Sequence, residues 1–390
     1  MKESLTIVVM ITTLLLLTAC SNTDKNPFYQ SSSQLPRFGQ ESFEHYLKDT
    51  RQWLYENRVF HTRDKARELY FNMPFELKPE HPNGEGALLV QGLGDSPYSF
   101  RDIAEHLVRR GYLVRTILLP GHGSKPGDLK LPTVKDWQSI VAHHAKLLGK
   151  AVKTVWLGGY STGANLVTDY ALNHSSIAGL LLFSPAFQPG SDKVKYAPIA
   201  NYFIEWADKD EETNIARYDS LPMNGAAVYY QTAQAVDRTL QKLSSYNKPV
   251  FIMVSEADSV IDTQFVLDTF IHKMTNPNNR LLWFGEGSFA DPRIIQYTMN
   301  LPENKISNAS HMALLFSPEN TFYGSSGTQR ICGNGQEDWA TQRCKSGGDI
   351  WFSAWGYREP GKAYARLTWN PYFNASMTLM DGVLSHSLPE

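Results

Sequence analysis

A serine hydroxyl attacks a carbonyl at neutral pH only when a base takes its proton and a carboxylate orients that base. The residue best placed for that role is Ser161, in Gly159-Tyr160-Ser161-Thr162-Gly163. This is a Gly-x-Ser-x-Gly pentapeptide, short enough to be no more than a serine in a glycine-rich turn. Its flanks decide the matter. "TVWLGGYS" upstream reads as a strand and "GANLVTDYALNH" downstream as a helix. A strand that turns at once into a helix lifts the hydroxyl clear of a sheet and leaves it at the positive end of the helix. Glycines at 159 and 163 suit a turn that brings two backbones together, because a larger side chain at either would clash.

The surrounding elements fit such a turn. From residue 86 apolar runs alternate with amphipathic helices. "GALLVQGLG" is a buried strand. "SFRDIAEHLVRRG" has Phe100, Ile103, Ala104, Leu107 and Val108 at helical spacing, with Gly111 as its stop. "YLVRTILLPG" is a second strand and "TVKDWQSIVAHHAKLLGK" a second helix, followed by the strand and helix around Ser161 and the strand "AGLLLFSPA". Such alternation implies βαβ crossovers and an α/β fold with a mostly parallel central sheet flanked by helices. The pattern breaks across residues 187–245, where Tyr196, Tyr202, Phe203, Trp206, Tyr218, Tyr229 and Tyr230 occur without a long β-branched run. This reads as a helical cap insertion over an apolar acyl pocket. The alternation resumes with "KPVFIMVSEAD", the helix "DTQFVLDTFIHKM" and "NRLLWFGEG"; "PRIIQYTMN" reads as an inserted hairpin or strand. Residues 41–80 are expected to pack on the domain edge, and residues 319–390 form a Cys-containing extension ending in a helix.

With these elements in place the chain resembles the α/β-hydrolase family, in its monoacylglycerol lipase and carboxylesterase branch, over residues 86–315. Three segments besides the strand-to-helix turn at Ser161, the nucleophile elbow of that family, carry the resemblance. "LLPGHGSKPGDL" is similar to the Leu-Pro-Gly-His-Gly of that branch. "QGLGDSP" is similar to His-Gly-x-x-x-Ser-Pro, with Gln91 in place of the histidine. "SEADSVI" is similar to Gly-x-x-Asp-x-x-Val, with Ser255 in place of the glycine. The resemblance implies the chain order serine, acid, histidine, hence Asp258 as the acid and His311, in "ISNASHMALLFSP", as the base at the start of an apolar helix. It also implies an oxyanion hole formed by the N–H groups of Thr162 and Leu93. No metal or organic cofactor is needed. Asp262 competes with Asp258 but suits the cap of the following helix better. His122 is expected to brace its loop, while His143, His144, His174 and His386 sit in helices or near the end of the chain. A dinucleotide loop is disfavoured, since Gly92 and Gly94 lack the third glycine of Gly-x-Gly-x-x-Gly.

The implied activity is hydrolysis of carboxylic esters, of acylglycerols or other acyl esters, through an acyl-enzyme. A peptidase similar to serine aminopeptidases is the alternative, with the carboxylates of "EWADKDEETN" (Glu205, Asp208, Asp210, Glu211, Glu212) holding a free amine. A non-catalytic surface lipoprotein that uses the fold for binding is the other, although the serine, acid and histidine positions are all filled.

The N-terminus reads differently. After Met1 and Lys2 come residues 5–19, "LTIVVMITTLLLLTA", 15 uncharged residues that are short for a bilayer span. "LTAC" resembles the lipobox of bacterial lipoproteins, which implies a signal peptide over residues 1–19 and acylation of Cys20; an uncleaved anchor or ordinary signal peptide is the alternative. Ser21 where an inner-membrane retention signal has Asp points to the outer membrane of a bacterial cell envelope, with the lipid supplying the membrane contact. Residues 20–40 are Ser-, Asn-, Gln- and Pro-rich and read as a tether, and residues 41–390 as the hydrolase domain. In an exported chain Cys332 and Cys344 form a disulfide more readily than a metal site, since no His stands near them; two free thiols remain the alternative. With 390 residues, a net charge of −2 and no run of Lys and Arg, nothing suggests nucleic-acid binding.

Overall fold

The computed structural model describes residues 25–385. The expected signal peptide (residues 1–19), Cys20 and His386 lie outside the described residues. Helices α1 (Phe43–Asn57) and α2 (Lys65–Asn72) precede the sheet. The side chains of Ser42 and Asp64 cap them by accepting from His45 N and Arg67 N. They are fastened inward as well. The buried Arg58 side chain donates to Glu68 (2.9 and 3.0 Å), to Gly123 O (2.7 Å) and to Ile215 O (2.9 Å). Removing one partner of so buried a pair typically costs about 3–5 kcal/mol, because it strands the other charge. The segment expected to serve as a tether also lies against the domain from residue 26 on. Ser32 Oγ donates to Asp128 (3.0 Å), Ser31 Oγ donates to Gly127 O (2.8 Å), and Tyr29 stacks edge-on to Trp206. Its polar residues serve as hydrogen-bonding groups, a use that composition does not reveal.

The sheet and its crossovers follow: β1 (Glu76–Leu77), β2 (Glu85–Val90), α3 (Arg101–Arg109), β3 (Leu113–Ile117), α4 (Val134–Gly149), β4 (Thr154–Tyr160), α5 (Thr162–Leu172) and β5 (Ile177–Phe183). Next come the short α6 (Ala197–Ala200), β6 (Trp206–Asp208), β7 (Leu221–Pro222) and α7 (Met223–Lys242), then β8 (Val250–Ser255), α8 (Thr263–Lys273), β9 (Arg280–Phe284) and β10 (Ile294–Tyr297). The chain closes with α9 (Asp338–Lys345), β11 (Trp351–Ser353), β12 (Tyr364–Arg366) and α10 (Phe373–Leu384). The main sheet has eight strands in the order β1-β3-β2-β4-β5-β8-β9-β10. Only the β1–β3 pair is antiparallel.

Both faces of this sheet are covered, which is why its strands read as unbroken apolar runs. Alternate residues of β2 show the division: Leu88 and Val90 join a core with α4, α5, α7 and α8, while Ala87 and Leu89 join one with α3 and α10. The start of α4 is set by a capping box, in which Thr133 and Asp136 bond each other's backbone N–H.

The structure refines two expectations and corrects one. Beside α6 and α7 the region over residues 187–245 holds a short β6–β7 antiparallel pair. Of the two readings of "PRIIQYTMN", hairpin or strand, the structure has the strand: it supplies β10, an edge strand parallel to β9. The segment from His311 to Phe316 is a series of turns, not a helix. Met312, Ala313, Leu314, Leu315 and Phe316 are all buried there, and Phe316 O accepts from Asn370 N (2.9 Å). Packing on every side, with Pro318 just beyond, leaves no solvent face for an amphipathic helix. In the C-terminal extension Cys332 and Cys344 form a disulfide, with Cα atoms 5.7 Å apart.

A Cβ on Gly163 would lie 2.1 Å from Val90 O and 2.5 Å from Gln91 O, both backbone atoms that cannot swing away. Gly163→Ala should therefore lower stability by about 3 kcal/mol or more, or abolish soluble expression. Gly382→Ala, where an added Cβ would meet nothing within 4 Å outside its own helix, should leave the thermal unfolding midpoint unchanged or raise it slightly. Thermal unfolding of the two variants side by side checks this.

Candidate active site

Ser161 sits between β4 and α5 with φ 53° and ψ −119°, a left-handed backbone that a non-glycine residue adopts at a cost. Its surroundings hold it there: Ser161 N donates to Phe183 O (3.0 Å), and Ser161 O accepts from Ala164 N (3.0 Å) and Ala186 N (3.3 Å). A Cβ on Gly159 would come within 2.5 Å of the Ala164 backbone, so both glycines of the pentapeptide are needed for the same close approach. The side chain faces a cavity of about 220 Å³ that His311 also lines.

Asp258 follows β8, and its fully buried carboxylate meets His311 Nδ1 at 2.6 Å. The other carboxylate oxygen accepts from Val260 N (2.9 Å) and Ile261 N (3.3 Å). With Nδ1 donating to a carboxylate, Nε2 is the nitrogen left to accept a proton. The His311 ring leans on Tyr160, with centroids 5.1 Å apart. The structure records no hydrogen bond from Ser161 Oγ to His311 among the described residues, a contact that often tightens only when substrate is bound.

The loop that carries His311 is tied down by serine hydroxyls, two of which, Ser184 and Ser310, stand in no recognisable motif. Ser184 Oγ donates to His311 O (3.0 Å), Ser255 Oγ to Ala309 O (2.8 Å) and Ser310 Oγ to Leu367 O (2.5 Å). The serine that stands where the resembled motif has glycine thus has a use of its own.

Asp262 is apart from this group: its side chain accepts from Phe265 N (3.0 Å) and caps α8. The other described histidines are also elsewhere. His143 Nε2 bonds Gln40 O (2.9 Å), His174 stacks on Tyr170, and His144 is enclosed by Phe43 and Tyr46. Burial, with the neighbouring His143 next, pulls His144 down to about 3.

The loop after β2 comes up to the elbow from the other side. Leu93 and Thr162 both line the cavity with Ser161. Thr162 opens α5, where the N–H has no helical acceptor. The turn around Leu93 is fixed by Gly94 N, which donates to His122 Nε2 (3.0 Å), and by Gly94 O, which accepts from Tyr218 N (2.7 Å) of the cap region. His122 Nδ1 lies 3.1 Å from Leu119 O, so the ring is the neutral tautomer that donates to Leu119 and accepts from Gly94. Burial pulls its pKa down to about 4, which keeps it neutral. Gln91, turned so that its amide nitrogen faces Ile117 O and its oxygen faces Leu119 N, steadies the same turn.

Charged residues complete the cavity: Asp95, Arg217, Asp219 and Arg366. Burial pushes the Asp95 carboxyl up to about 6 against the pull of Arg217. Arg366 comes from β12, so the cysteine-containing extension reaches the serine site. The acidic run does not. Asp208, Asp210 and Glu211 line a larger neighbouring cavity of about 910 Å³, Glu205 pairs with Lys130 (2.5 Å), and Glu212 accepts from the N–H groups of Asp219 and Ser220. Among the described residues no group of three or more His, Cys, Asp and Glu is gathered as a metal site.

Parts of the chain are similar to known proteins. The family described as "Serine aminopeptidase, S33" matches residues 85–216, about a third of the chain. A thermostable monoacylglycerol lipase of Bacillus sp. (strain H-257) is 29% identical over 181 residues, which are 45% of this chain and 71% of the relative. Among solved structures, one from work on the metagenome-derived lipolytic enzymes LipS and LipT is 21% identical with a TM-score of 0.48, covering 54% of this chain and 86% of the other. Paleococcus ferrophilus monoacylglycerol lipase is 19% identical with a TM-score of 0.43, covering 58% and 88%.

The two carboxylates should respond differently to substitution. Asp258→Asn should lower kcat for a chromogenic ester by about 10⁴-fold, because the amide favours the wrong tautomer of His311. Asp262→Ala should leave kcat within a few-fold and cost about 1 kcal/mol of stability through loss of the cap. Steady-state kinetics and thermal unfolding of both variants check the assignment, and the reverse ranking would make Asp262 the acid.

Proposed function

We propose that this chain is an α/β hydrolase of the lipase and esterase kind that cleaves carboxylic esters, acylglycerols or other acyl esters, with Ser161 as nucleophile, His311 as base and Asp258 as the acid that orients it. The observation that carries this reading is the short His311–Asp258 contact beside the cavity that Ser161 enters on a strained turn. The similarity to a monoacylglycerol lipase supports esters over other acyl compounds.

In this scheme His311 Nε2 takes the proton as Ser161 Oγ attacks the ester carbonyl. Asp258 stabilises the imidazolium that results. The carbonyl oxygen becomes an oxyanion and accepts from Leu93 N–H and Thr162 N–H, donors fixed before the reaction starts. As the tetrahedral intermediate collapses, His311 returns the proton to the departing alkoxide, which leaves as the alcohol. Water, deprotonated by the same imidazole, then attacks the acyl-Ser161 ester; the bond to Oγ breaks as His311 returns the proton to Ser161 Oγ, and the carboxylic acid is released. The strain at Ser161 serves to present Oγ to the substrate without a conformational change.

We further propose that Cys20 carries lipid and holds the domain at the outer membrane of a bacterial cell envelope. The lipobox-like "LTAC" supports this. Among the described residues no helix is long and apolar enough to cross a membrane.

Labelling with a fluorophosphonate probe should mark wild-type protein and not Ser161→Ala, and the variant should lose about 10⁴-fold or more in turnover while unfolding at the same temperature. Ester turnover that survives the substitution would remove Ser161 from the mechanism, and a folded wild type that neither takes label nor turns over esters would favour a binding protein. For the anchor, a palmitate analogue fed to expressing bacteria should label the wild type and leave Cys20→Ala unlabelled; equal labelling of both would dispose of the lipoprotein reading.

A further inference from the structure

Two guanidinium groups line the cavity of Ser161 and His311, and nothing in the ester mechanism uses them. Arg217 belongs to the cap segment whose next residue, Tyr218, is bonded to the Leu93 turn through Gly94 O. Arg366 ends β12. Its backbone N–H donates to Ile331 O (2.9 Å) and its Nη2 to Gly333 O (2.8 Å). These two carbonyls flank Cys332, so the disulfide-closed segment sets the direction of the Arg366 side chain.

A guanidinium has five N–H donors. Arg366 Nε is buried and has no partner, and the one protein acceptor of the Arg217 side chain is Tyr218 O, 3.3 Å from its Nε. Among the described residues neither arginine forms an ion pair with a carboxylate. Asp219 and Asp95 lie close enough to favour the charged form of Arg217, but their hydrogen bonds go elsewhere and leave the guanidinium donors open: Asp219 Oδ2 accepts from Thr213 N (2.8 Å) and Thr213 Oγ1 (3.0 Å), and Asp95 Oδ1 accepts from Ser96 N (2.9 Å). Burial, with the like charge of Arg217 next, draws Arg366 down to about 10, a sign that the two cations lie near each other in a poorly solvated place. A buried donor without an acceptor is unfavourable in the empty protein, and a bound anion would relieve it.

We propose that the substrate carries an anionic group, a carboxylate or a phosphate, which Arg217 and Arg366 hold while the ester carbonyl lies at Ser161. This deepens the ester-hydrolase reading and rests on it. Planar guanidinium groups match both anions with paired hydrogen bonds. The same two arginines border the larger neighbouring cavity, which has room for the polar remainder of such a substrate. A neutral acylglycerol would leave both groups unused.

The test uses matched ester pairs. For an anion on the acyl side, mono-4-nitrophenyl adipate is compared with 4-nitrophenyl hexanoate. For one on the alcohol side, the butanoyl ester of glycerol 3-phosphate is compared with that of glycerol. In one pair the anionic member should show a kcat/KM higher by at least about tenfold, chiefly through KM. That ratio should fall towards one in R217M and in R366M and be partly kept in R366K. Because the ratio is internal to each protein, a general loss of activity in a variant does not imitate the effect. Wild-type ratios of one or below in both pairs would overturn the proposal while leaving ester hydrolysis in place. So would a ratio unchanged in both methionine variants, or a preference for an aminoacyl 4-nitroanilide over every ester, which would assign Asp95 and Asp219 to a substrate amine instead. Hydrolysis of none of these esters by wild type would overturn the ester reading itself.

Discussion

The site depends on how closely a helix can approach a strand. Gly163 lets the first turn of α5 lie against the end of β2, where any Cβ would strike Val90 O and Gln91 O. That contact places the loop after β2 beside the turn at Ser161, and Leu93 and Thr162 line one cavity with it. It also requires Ser161 to adopt its left-handed backbone, which the hydrogen bonds to Phe183 and Ala186 maintain.

The histidine side is built by a different principle. His311 lies far along the chain from both Ser161 and Asp258, in a segment without regular hydrogen bonding, so its position has to be imposed by neighbours. The hydroxyls of Ser184 and Ser255 come from the ends of β5 and β8, and that of Ser310 reaches across to Leu367 in the extension. The buried side chains from Met312 to Phe316 fill the space beneath. A rigid sheet thus supplies precision to a loop that could not supply it alone.

The cap and the C-terminal extension meet at the same cavity. Tyr218 joins the cap to the Leu93 turn, and β12 brings Arg366 in from the opposite side. The extension therefore supports the histidine loop and also contributes charge to the space in which a substrate would lie. Its disulfide acts on the site at one remove, through the carbonyls that orient Arg366.

The parts legible in the sequence are those written in local pattern. Apolar runs alternating with helical spacing gave the parallel sheet and its crossovers, because burial on both faces leaves a composition that survives without knowledge of partners. Glycines at fixed distances from Ser161 marked the turn, because only a residue without Cβ can occupy those points. Asp258 and His311 came from resemblance and chain order, and the structure puts them in contact. The turns after His311 have the sequence pattern of a helix, because an apolar run looks alike whether it packs on one side or all sides. Arg217 and Arg366 carried no signal: they are 149 positions apart, in segments with no motif. Local order along the chain determined which strand bends into which helix; only tertiary folding decided which distant charges face the serine, since that depends on how cap and extension close over the sheet.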